Sequence, residues 1–171
     1  MTTRRFDVVL HCRDETGRFR MVAHVLASEA AEAAVLARLA RPQASARKVS
    51  RLCGSEIEVD VAMKGDRVAD LALRIKACAL GQASASILAR HAVGASRQEL
   101  EQARDSLLAM LKQGKRVPKG RFAELAVLEG AREYAARHQS IMLAFDAIVD
   151  AVSRARTGTT TTTPLAGRET G

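Results

Sequence analysis

The alternation of apolar and polar residues in the middle of the chain predicts two neighbouring strands. The letters EIEVDVAM, residues 56–63, place aliphatic side chains on one face and acidic side chains on the other. The letters VADLALRIKAC, residues 68–78, repeat the same period of two. Each segment is therefore predicted to be a strand with one face against a core.

A three-residue loop over 65–67 joins these strands into a hairpin that keeps both apolar faces on the same side. In this register Glu58 faces Arg74 and Glu56 faces Lys76. Opposite charges across neighbouring strands stabilise a sheet by about 0.2–1 kcal/mol per pair. The charge pattern thus supports the predicted register independently of the apolar pattern.

The rest of the chain has mostly helical spacing. An S-R-Q-E capping box at 96–99 and Gly114 delimit one helix, and Ala83, Ile87 and Val93 are predicted to face inward from another. The predicted helices are 28–40, 82–93, 97–113, about 122–129 and about 133–153. The pattern predicts an α+β fold in which a small antiparallel sheet, the hairpin plus a third strand, packs against four to five helices.

A length of 171 residues suits one domain with a core. Residues 1–27 form an N-terminal extension whose pattern leaves an accessory strand and a flexible segment both open. Residues 28–155 are predicted to be the domain. The low-complexity segment 156–171, RTGTTTTTPLAGRETG, is predicted to be a disordered tail.

The net charge of +8 makes nucleic acid a candidate binding partner. Its densest basic cluster, KQGKRVPKGR at 112–121, contains no aromatic residue that could stack on a base, so a solvated loop is favoured over an anionic partner surface. No apolar run is long enough to span a membrane. The three cysteines, Cys12, Cys53 and Cys78, are too few for a disulfide framework and indicate a reducing, cytoplasmic location.

Two cysteines are predicted to approach each other at the open end of the hairpin. Cys78 ends one strand directly before a helix, where free backbone amides favour a thiolate, and Cys53 precedes the other strand. Gly54 and Gly81 allow the chain to turn there. A pair of thiols is a soft half-site for zinc, iron or a transferable sulfur atom, whereas two buried cysteines can also act as small apolar residues. The spacing leaves both interpretations open.

Three segments resemble the IscU/SufU/NifU-N type iron–sulfur cluster assembly scaffold proteins. They are LCGSEIEVDV at 52–61, KACALGQASASIL at 76–88 and LEGAREYAARHQSIMLAF at 128–145. That family has a C-G-D stretch entering a strand, a cysteine before a similar A-S-A-S run, and a third cysteine early in the last long helix. The resemblance covers about residues 46–153 and implies the family's α+β fold.

The chain also departs from the family pattern. Ser55 stands where the family has the aspartate after C-G, and Ser140 stands at the position of the third cysteine. The resemblance therefore implies Cys53 and Cys78 as cofactor and metal ligands, with hydroxyls at two further ligand positions. Arg137 matches the arginine of the R-x-x-C motif in the SufU-like branch, whereas the L-P-P-V-K segment of the IscU branch is replaced by YAARHQ, so the chain resembles the SufU-like branch more. This match implies that Arg137 lines the site and binds the cofactor, with His138 beside it.

The histidines contribute less to the predicted site. His138 lies two residues before Ser140 and is a candidate metal ligand, but its place on the apolar stripe of the last helix favours a packed, hydrogen-bonded role. His91 is interpreted as structural. The remaining candidates, His11, Cys12 and His24, lie outside the resemblance and are assigned no function.

The resemblance implies a cytoplasmic scaffold or sulfur-accepting adaptor that works with a cysteine desulfurase and delivers to apo iron–sulfur proteins. Its cargo would be a transient iron–sulfur cluster, iron or persulfide, with zinc as a further candidate. A carrier is favoured over an enzyme, a homodimer is an open alternative, and neither nucleic acid nor a membrane is expected as partner. The alternative function is that of a degenerate family member that binds no metal and serves as a regulatory or interaction module.

Overall fold

The computed structural model describes residues 6–13, 19–27, 38–114 and 119–158, the first two ranges by their backbone alone. The predicted helix 28–40 therefore lies outside the described residues up to residue 37, and the predicted tail lies outside them from residue 159. The elements are β1 Phe6–Arg13, β2 Phe19–Ala27, β3 Ala44–Val49, β4 Glu56–Lys64, β5 Arg67–Lys76, α1 Ala79–His91, α2 Arg97–Gln113, a 3-10 segment Gly120–Glu133, and α3 Ala135–Thr157.

The sheet that carries the candidate site has the antiparallel order β3-β4-β5. The predicted pairs Glu56 with Lys76 and Glu58 with Arg74 are confirmed. The predicted three-residue loop is wrong, because the register shifts at a bulge between Ala62 and Met63 and Lys64 then pairs with Arg67. The turn contains two residues and begins with a glycine in the left-handed region, which suits a tight hairpin.

The third strand of the predicted sheet is β3, and β1 pairs with β2 in a separate two-stranded sheet within the N-terminal extension. Three strands and helices packed on their apolar face make up the α+β architecture expected from the pattern. The fold class is thus confirmed.

One acidic residue departs from the alternation that predicted β4. Ile57, Val59 and Val61 are fully buried, as expected, but Asp60 on the opposite face is only 3% exposed. Ser45 of β3 lies beside it and donates a 2.6 Å hydrogen bond to Asp60 Oδ1. The neighbouring strand thus shields a carboxylate that the sequence placed in solvent.

The helices begin and end largely where their sequence signals predict. Ser96 and Glu99 form the reciprocal hydrogen bonds of a capping box, and Gly114 ends α2 in the left-handed conformation. Val93, predicted to face inward, is 52% exposed because α1 ends at His91. The helix predicted near 122–129 is a longer 3-10 segment.

Helix α3 forms the centre of the core and packs against the sheet, α1 and α2. Most of its residues from 138 to 152 are buried. One face of α3 packs against α1, so side chains on that face lie close to Cys78 at the start of α1. Among the described residues, none of the helices is both long and apolar enough to cross a membrane.

Candidate functional site

The first cysteine lies in a tight loop between β3 and β4. Ser50 N donates to Ser55 O over 2.7 Å, and Gly54 N donates to Ser50 O over 2.9 Å. Gly54 has a φ of +66°, a conformation that other residues rarely adopt. The loop thus holds Cys53 between two serines.

Ser55 lies at the centre of a cluster formed by Cys53, Ser55, Cys78 and Ser140, which we call the cysteine corner. Its Oγ lies 3.0 Å from Cys53 Sγ, 3.1 Å from Ser140 Oγ and 3.4 Å from the backbone N of Cys78. Ser140 Oγ in turn lies 3.3 Å from Cys78 Sγ. The two thiols are therefore connected by a continuous chain of two hydroxyl groups.

A glycine in α1 permits this arrangement. A Cβ added at Gly81 would lie 2.7 Å from Ser140 Oγ, 2.9 Å from Ala77 Cβ and 3.2 Å from Ser140 O. These separations are shorter than ordinary carbon contacts, and one of the neighbours is backbone that cannot rotate away. Gly81 thus lets α1 and α3 approach closely enough for Cys78 to contact Ser140.

We expect Gly81→Ala to lower the free energy of unfolding by about 1–2 kcal/mol. Overpacking in a core costs about 1–3 kcal/mol, and the better helix preference of alanine offsets up to about 1 kcal/mol of it. Urea denaturation measures the change, with Gly130→Ala in the exposed part of the 3-10 segment as control. A Gly81→Ala protein as stable as the wild type would contradict the close contact.

The pKa of Cys53 is lowered to about 7. The largest cause is the hydrogen bond with the Ser50 side chain, followed by the one with Ser55, and burial opposes both. The hydrogen bonds with the two serine hydroxyls thus favour the charged form of the thiol over the protonated one. A substantial fraction of Cys53 is therefore thiolate at neutral pH and able to act as a nucleophile.

We expect alkylation of Cys53 to reach half of its maximal rate near pH 7 and to shift to higher pH in Ser50→Ala and Ser55→Ala. Iodoacetamide labelling of the tryptic peptide 52–64 across a pH series measures the shift. Ser84→Ala is a matched control, because Ser84 is also fully buried beside α3 but donates to Ile141 O. Equal pH profiles for all four proteins would refute the assigned cause.

Three basic residues lie close in sequence to the residues of the corner. Arg51 precedes Cys53 by two residues, Lys76 precedes Cys78 by two, and Arg137 lies one helical turn before Ser140; all three are exposed. Leu52, next to Cys53, is 74% exposed. These basic residues are accompanied by Glu56, which follows Ser55, pairs with Arg47 and lies opposite Lys76. Arg51 and Arg137 are thus the exposed basic residues of this set for which the structure shows no acidic partner among the described residues, and they suit an anionic cargo or an acidic partner surface.

His138 is oriented by contacts outside the hydroxyl chain. It is 9% exposed, and its Nε2 lies 3.1 Å from both Ala131 O and Arg132 O at the end of the 3-10 segment. His91 contacts Glu124 over 2.7 Å and packs edge-on against Phe122. Neither histidine has a contact with Cys53 or Cys78 among the described residues, so ligation by His138 stays a prediction.

Two residues of the hydrogen-bond network around Cys53, Ser50 and Gln139, were not identified from the sequence. Ser50 Oγ contacts Cys53 Sγ at 3.3 Å and donates to Gln139 Oε1 over 2.9 Å. Ser50 precedes Cys53 by three residues and Ser55 follows it by two, so the serines flanking Cys-Gly are the only local signal. The partner on α3 is separated from Ser50 by 89 positions and carries no such signal.

Comparison with known proteins gives matches to solved structures alone. No family model matches the sequence, and neither does any curated protein. The chain is 43% identical to a nitrogen-fixing NifU-like protein (N-terminal) from Brucella abortus, with 75% of this chain and 90% of that chain covered at a TM-score of 0.71.

Two further structures have the same fold at lower identity. A crystallised hypothetical protein is 24% identical over 69% of this chain and 86% of its own, with a TM-score of 0.63. A protein of thermophilic Fervidobacterium islandicum AW-1, described as a scaffold for iron–sulfur cluster assembly in the SUF system, is 18% identical over 68% and 85%, with a TM-score of 0.63. These two support the fold.

Three observations lead to the same family. They are the identity and coverage of the match to the Brucella abortus protein, the α+β architecture, and the two cysteines at the start of β4 and of α1. The chain belongs to the NifU-like N-terminal family, within the IscU/SufU/NifU-N type of iron–sulfur cluster assembly scaffold proteins.

Proposed function

We propose that this protein serves iron–sulfur cluster assembly as a scaffold or sulfur-accepting adaptor that carries its cargo on Cys53 and Cys78. The observation that supports this proposal is the chain of hydroxyl groups joining two free thiols. The cargo is iron with sulfide, or persulfide sulfur, and it is held transiently. The protein acts as a carrier, not as an enzyme with a product of its own.

The ligand set favours transient binding. Iron–sulfur clusters are usually held by four thiolates, and zinc prefers four thiolate, imidazole or carboxylate ligands. The corner supplies two thiols and two neutral hydroxyls, and no group of three or more His, Cys, Asp or Glu side chains within the described residues could hold a metal ion. A tightly bound resident metal is therefore not expected in this chain.

Sulfur acceptance follows from the chemistry of Cys53. Its thiolate attacks the outer sulfur of a cysteine persulfide on the donor protein, forming a new S–S bond. The S–S bond of the donor breaks, and the donor cysteine leaves as a thiolate that takes up the persulfide proton. Ser50 and Ser55 stabilise the attacking thiolate by hydrogen bonding, which is the cause of its lowered pKa.

The proposed donor is a cysteine desulfurase, and the proposed recipients are apo iron–sulfur proteins. The exposed Leu52 and Arg51 directly precede Cys53 in the chain and are accessible to a partner, as is the exposed Arg137 on α3. A reducing compartment such as the cytoplasm suits two cysteines that must stay free. A second copy of the chain remains a candidate source of additional ligands.

The serines also support a second candidate function. Ser55 and Ser140 remove two of the four ligand positions of the family pattern and form hydrogen bonds with each other instead. A chain that has lost ligands in this way could bind no metal and act as a regulatory or interaction module. The two candidates differ in whether sulfur or iron reaches the cysteines.

Anaerobic reconstitution distinguishes these candidates. The full chain is incubated with iron, cysteine and a cysteine desulfurase, followed by visible absorption spectroscopy and mass spectrometry of the cysteine peptides. We expect either charge-transfer absorption or persulfide on Cys53 or Cys78. Both signals should be lost in the Cys53→Ser, Cys78→Ser double variant and retained in Cys12→Ser.

The wild-type result decides the proposal. Absence of absorption, of bound iron and of persulfide on every cysteine would overturn the assembly function and favour the interaction module. Retention of both signals in the double variant would show that residues other than Cys53 and Cys78 carry the cargo.

A further inference from the structure

The hydroxyl chain links the two thiols in a way that simple burial of two cysteines does not require. Ser55 is 3% exposed and Ser140 is fully buried, so neither hydroxyl is oriented by bulk water. Each lies within hydrogen-bond distance of one sulfur atom and of the other hydroxyl. A buried path of hydroxyl groups therefore runs from one thiol to the other.

We propose that Ser55 and Ser140 form a proton relay that lets one sulfur atom pass from Cys53 to Cys78 inside the protein. This inference rests on the proposed function, because it requires a persulfide on Cys53. The two serines are positioning residues that act through the thiols. Their replacement of the usual ligands then changes the role of the corner from holding a metal to moving sulfur.

The direction of the hydrogen bonds permits a relay. Ser140 Oγ donates to Ser55 Oγ, the Cys53 thiol also donates to Ser55 Oγ, and either atom can donate between Cys78 Sγ and Ser140 Oγ. A persulfide on Cys53 has no proton on its inner sulfur, so the Ser55 hydroxyl hydrogen can then turn towards that sulfur. A hydroxyl can accept and donate at once, and its hydrogen rotates freely about the C–O bond. An aspartate at position 55, as in the family pattern, would be ionised at neutral pH and would accept hydrogen bonds without donating one.

The transfer balances without an oxidant or a reductant. The sulfur of the Cys78 thiol attacks the outer sulfur of the Cys53 persulfide, and a new S–S bond forms as the old one breaks. The proton of the Cys78 thiol moves through Ser140 and Ser55 to the sulfur of Cys53, which leaves as a thiol. Cys78 then carries the persulfide, and the number of protons and electrons in the site is unchanged.

The positions of the two thiols suit this order. Cys53 lies in a surface loop beside the exposed Leu52, where a donor protein can reach it. Cys78 packs against the hydrophobic core at the start of α1, and its backbone N contacts Ser55. Both thiols are half-buried, and sulfur received in the loop is thereby moved to the thiol that packs against the core.

The test follows one sulfur atom between two peptides of the full-length Cys12→Ser protein. Inorganic polysulfide is added anaerobically at less than one sulfur per chain, the excess is removed, and samples are alkylated at successive times. Trypsin places Cys53 in peptide 52–64 and Cys78 in peptide 77–90, so mass spectrometry locates the sulfur. We expect it first on Cys53 and later on Cys78.

The serine variants identify the relay. In Ser55→Ala and Ser140→Ala we expect the redistribution to be roughly 100-fold slower, the lower end of what a positioned proton-transfer group contributes. Ser55→Thr keeps a hydroxyl and should restore most of the rate. Ser84→Ala, which removes an equally buried hydroxyl of the same α1–α3 interface, should leave the rate unchanged.

Three outcomes are decisive and distinguishable. Redistribution at the wild-type rate in both alanine variants would overturn the relay and leave the proposed function intact, since sulfur still reaches the cysteines. Absence of sulfur from both peptides in every protein would overturn the proposed function and the relay with it. If the alanine variants do not fold, the wild type is compared in H₂O and D₂O, where an unchanged rate overturns the relay and a slower rate in D₂O supports it.

Discussion

Replacing Ser55 by aspartate and Ser140 by cysteine in the same chain is expected to create a tight zinc site. A tetrahedral zinc ion with bonds of about 2.0–2.3 Å holds its ligand atoms roughly 3.3–3.8 Å apart. The atoms at the corner already lie 3.0–3.3 Å from one another along the chain from Cys53 Sγ to Cys78 Sγ. Three of the six separations within this set of four atoms are thus close to those of ligands on one zinc ion, and two of the four positions lack a suitable donor.

Zinc affinity measured by competition with a chromophoric chelator tests this prediction. We expect a binding free energy on the order of 10 kcal/mol for the Ser55→Asp, Ser140→Cys variant, a typical scale for structural zinc, and a far weaker one for the wild type. Ser84→Cys is the matched control, because it adds a buried thiol beside α3 but outside the corner. A folded double variant that binds zinc no better than the wild type would contradict the proposed ligand geometry.

Phe145→Ala is expected to lower the free energy of unfolding by about 3–5 kcal/mol. Phe145 is fully buried in the middle of α3 and packs edge-to-face on Phe122, with ring centroids 5.7 Å apart and planes inclined by 77°. Truncating a buried phenylalanine removes its transfer free energy and leaves a cavity between α3 and the 3-10 segment.

Urea denaturation followed by circular dichroism measures this loss. The control is Leu108→Ala on α2, whose side chain is 38% exposed and should cost much less. Similar losses for the two variants would show that α3 is not the centre of the core. A variant that is unfolded without denaturant agrees with the prediction, since small domains are stable by only about 5–15 kcal/mol.

The anionic cargo and two exposed arginines act together in the proposed function. A persulfide or an iron–sulfur cluster carries negative charge, and the exposed Arg51 and Arg137 precede Cys53 and Ser140 by two and three residues. Their long-range attraction would raise the rate of approach more than the strength of binding.

Much of the fold could be predicted because its signals are local. The β4–β5 register follows from two alternating segments and their opposite charges, and α2 follows from a capping box and a terminal glycine. The bulge between Ala62 and Met63 and the 3-10 geometry of the segment after α2 could not be predicted, because the same residue pattern is compatible with more than one backbone path.

The candidate site likewise has features that could be predicted from the sequence and features that could not. The sequence by itself determined that Cys53 and Cys78 stand where two strands end and that serines occupy two ligand positions of the family pattern. Only the tertiary structure decided that Ser55 and Ser140, 85 positions apart, are in contact and connect the thiols. Their contact depends on how closely α1 and α3 pack at Gly81. This packing brings together the surfaces of α1, of α3 and of the loop before β4, and no local sequence pattern encodes it.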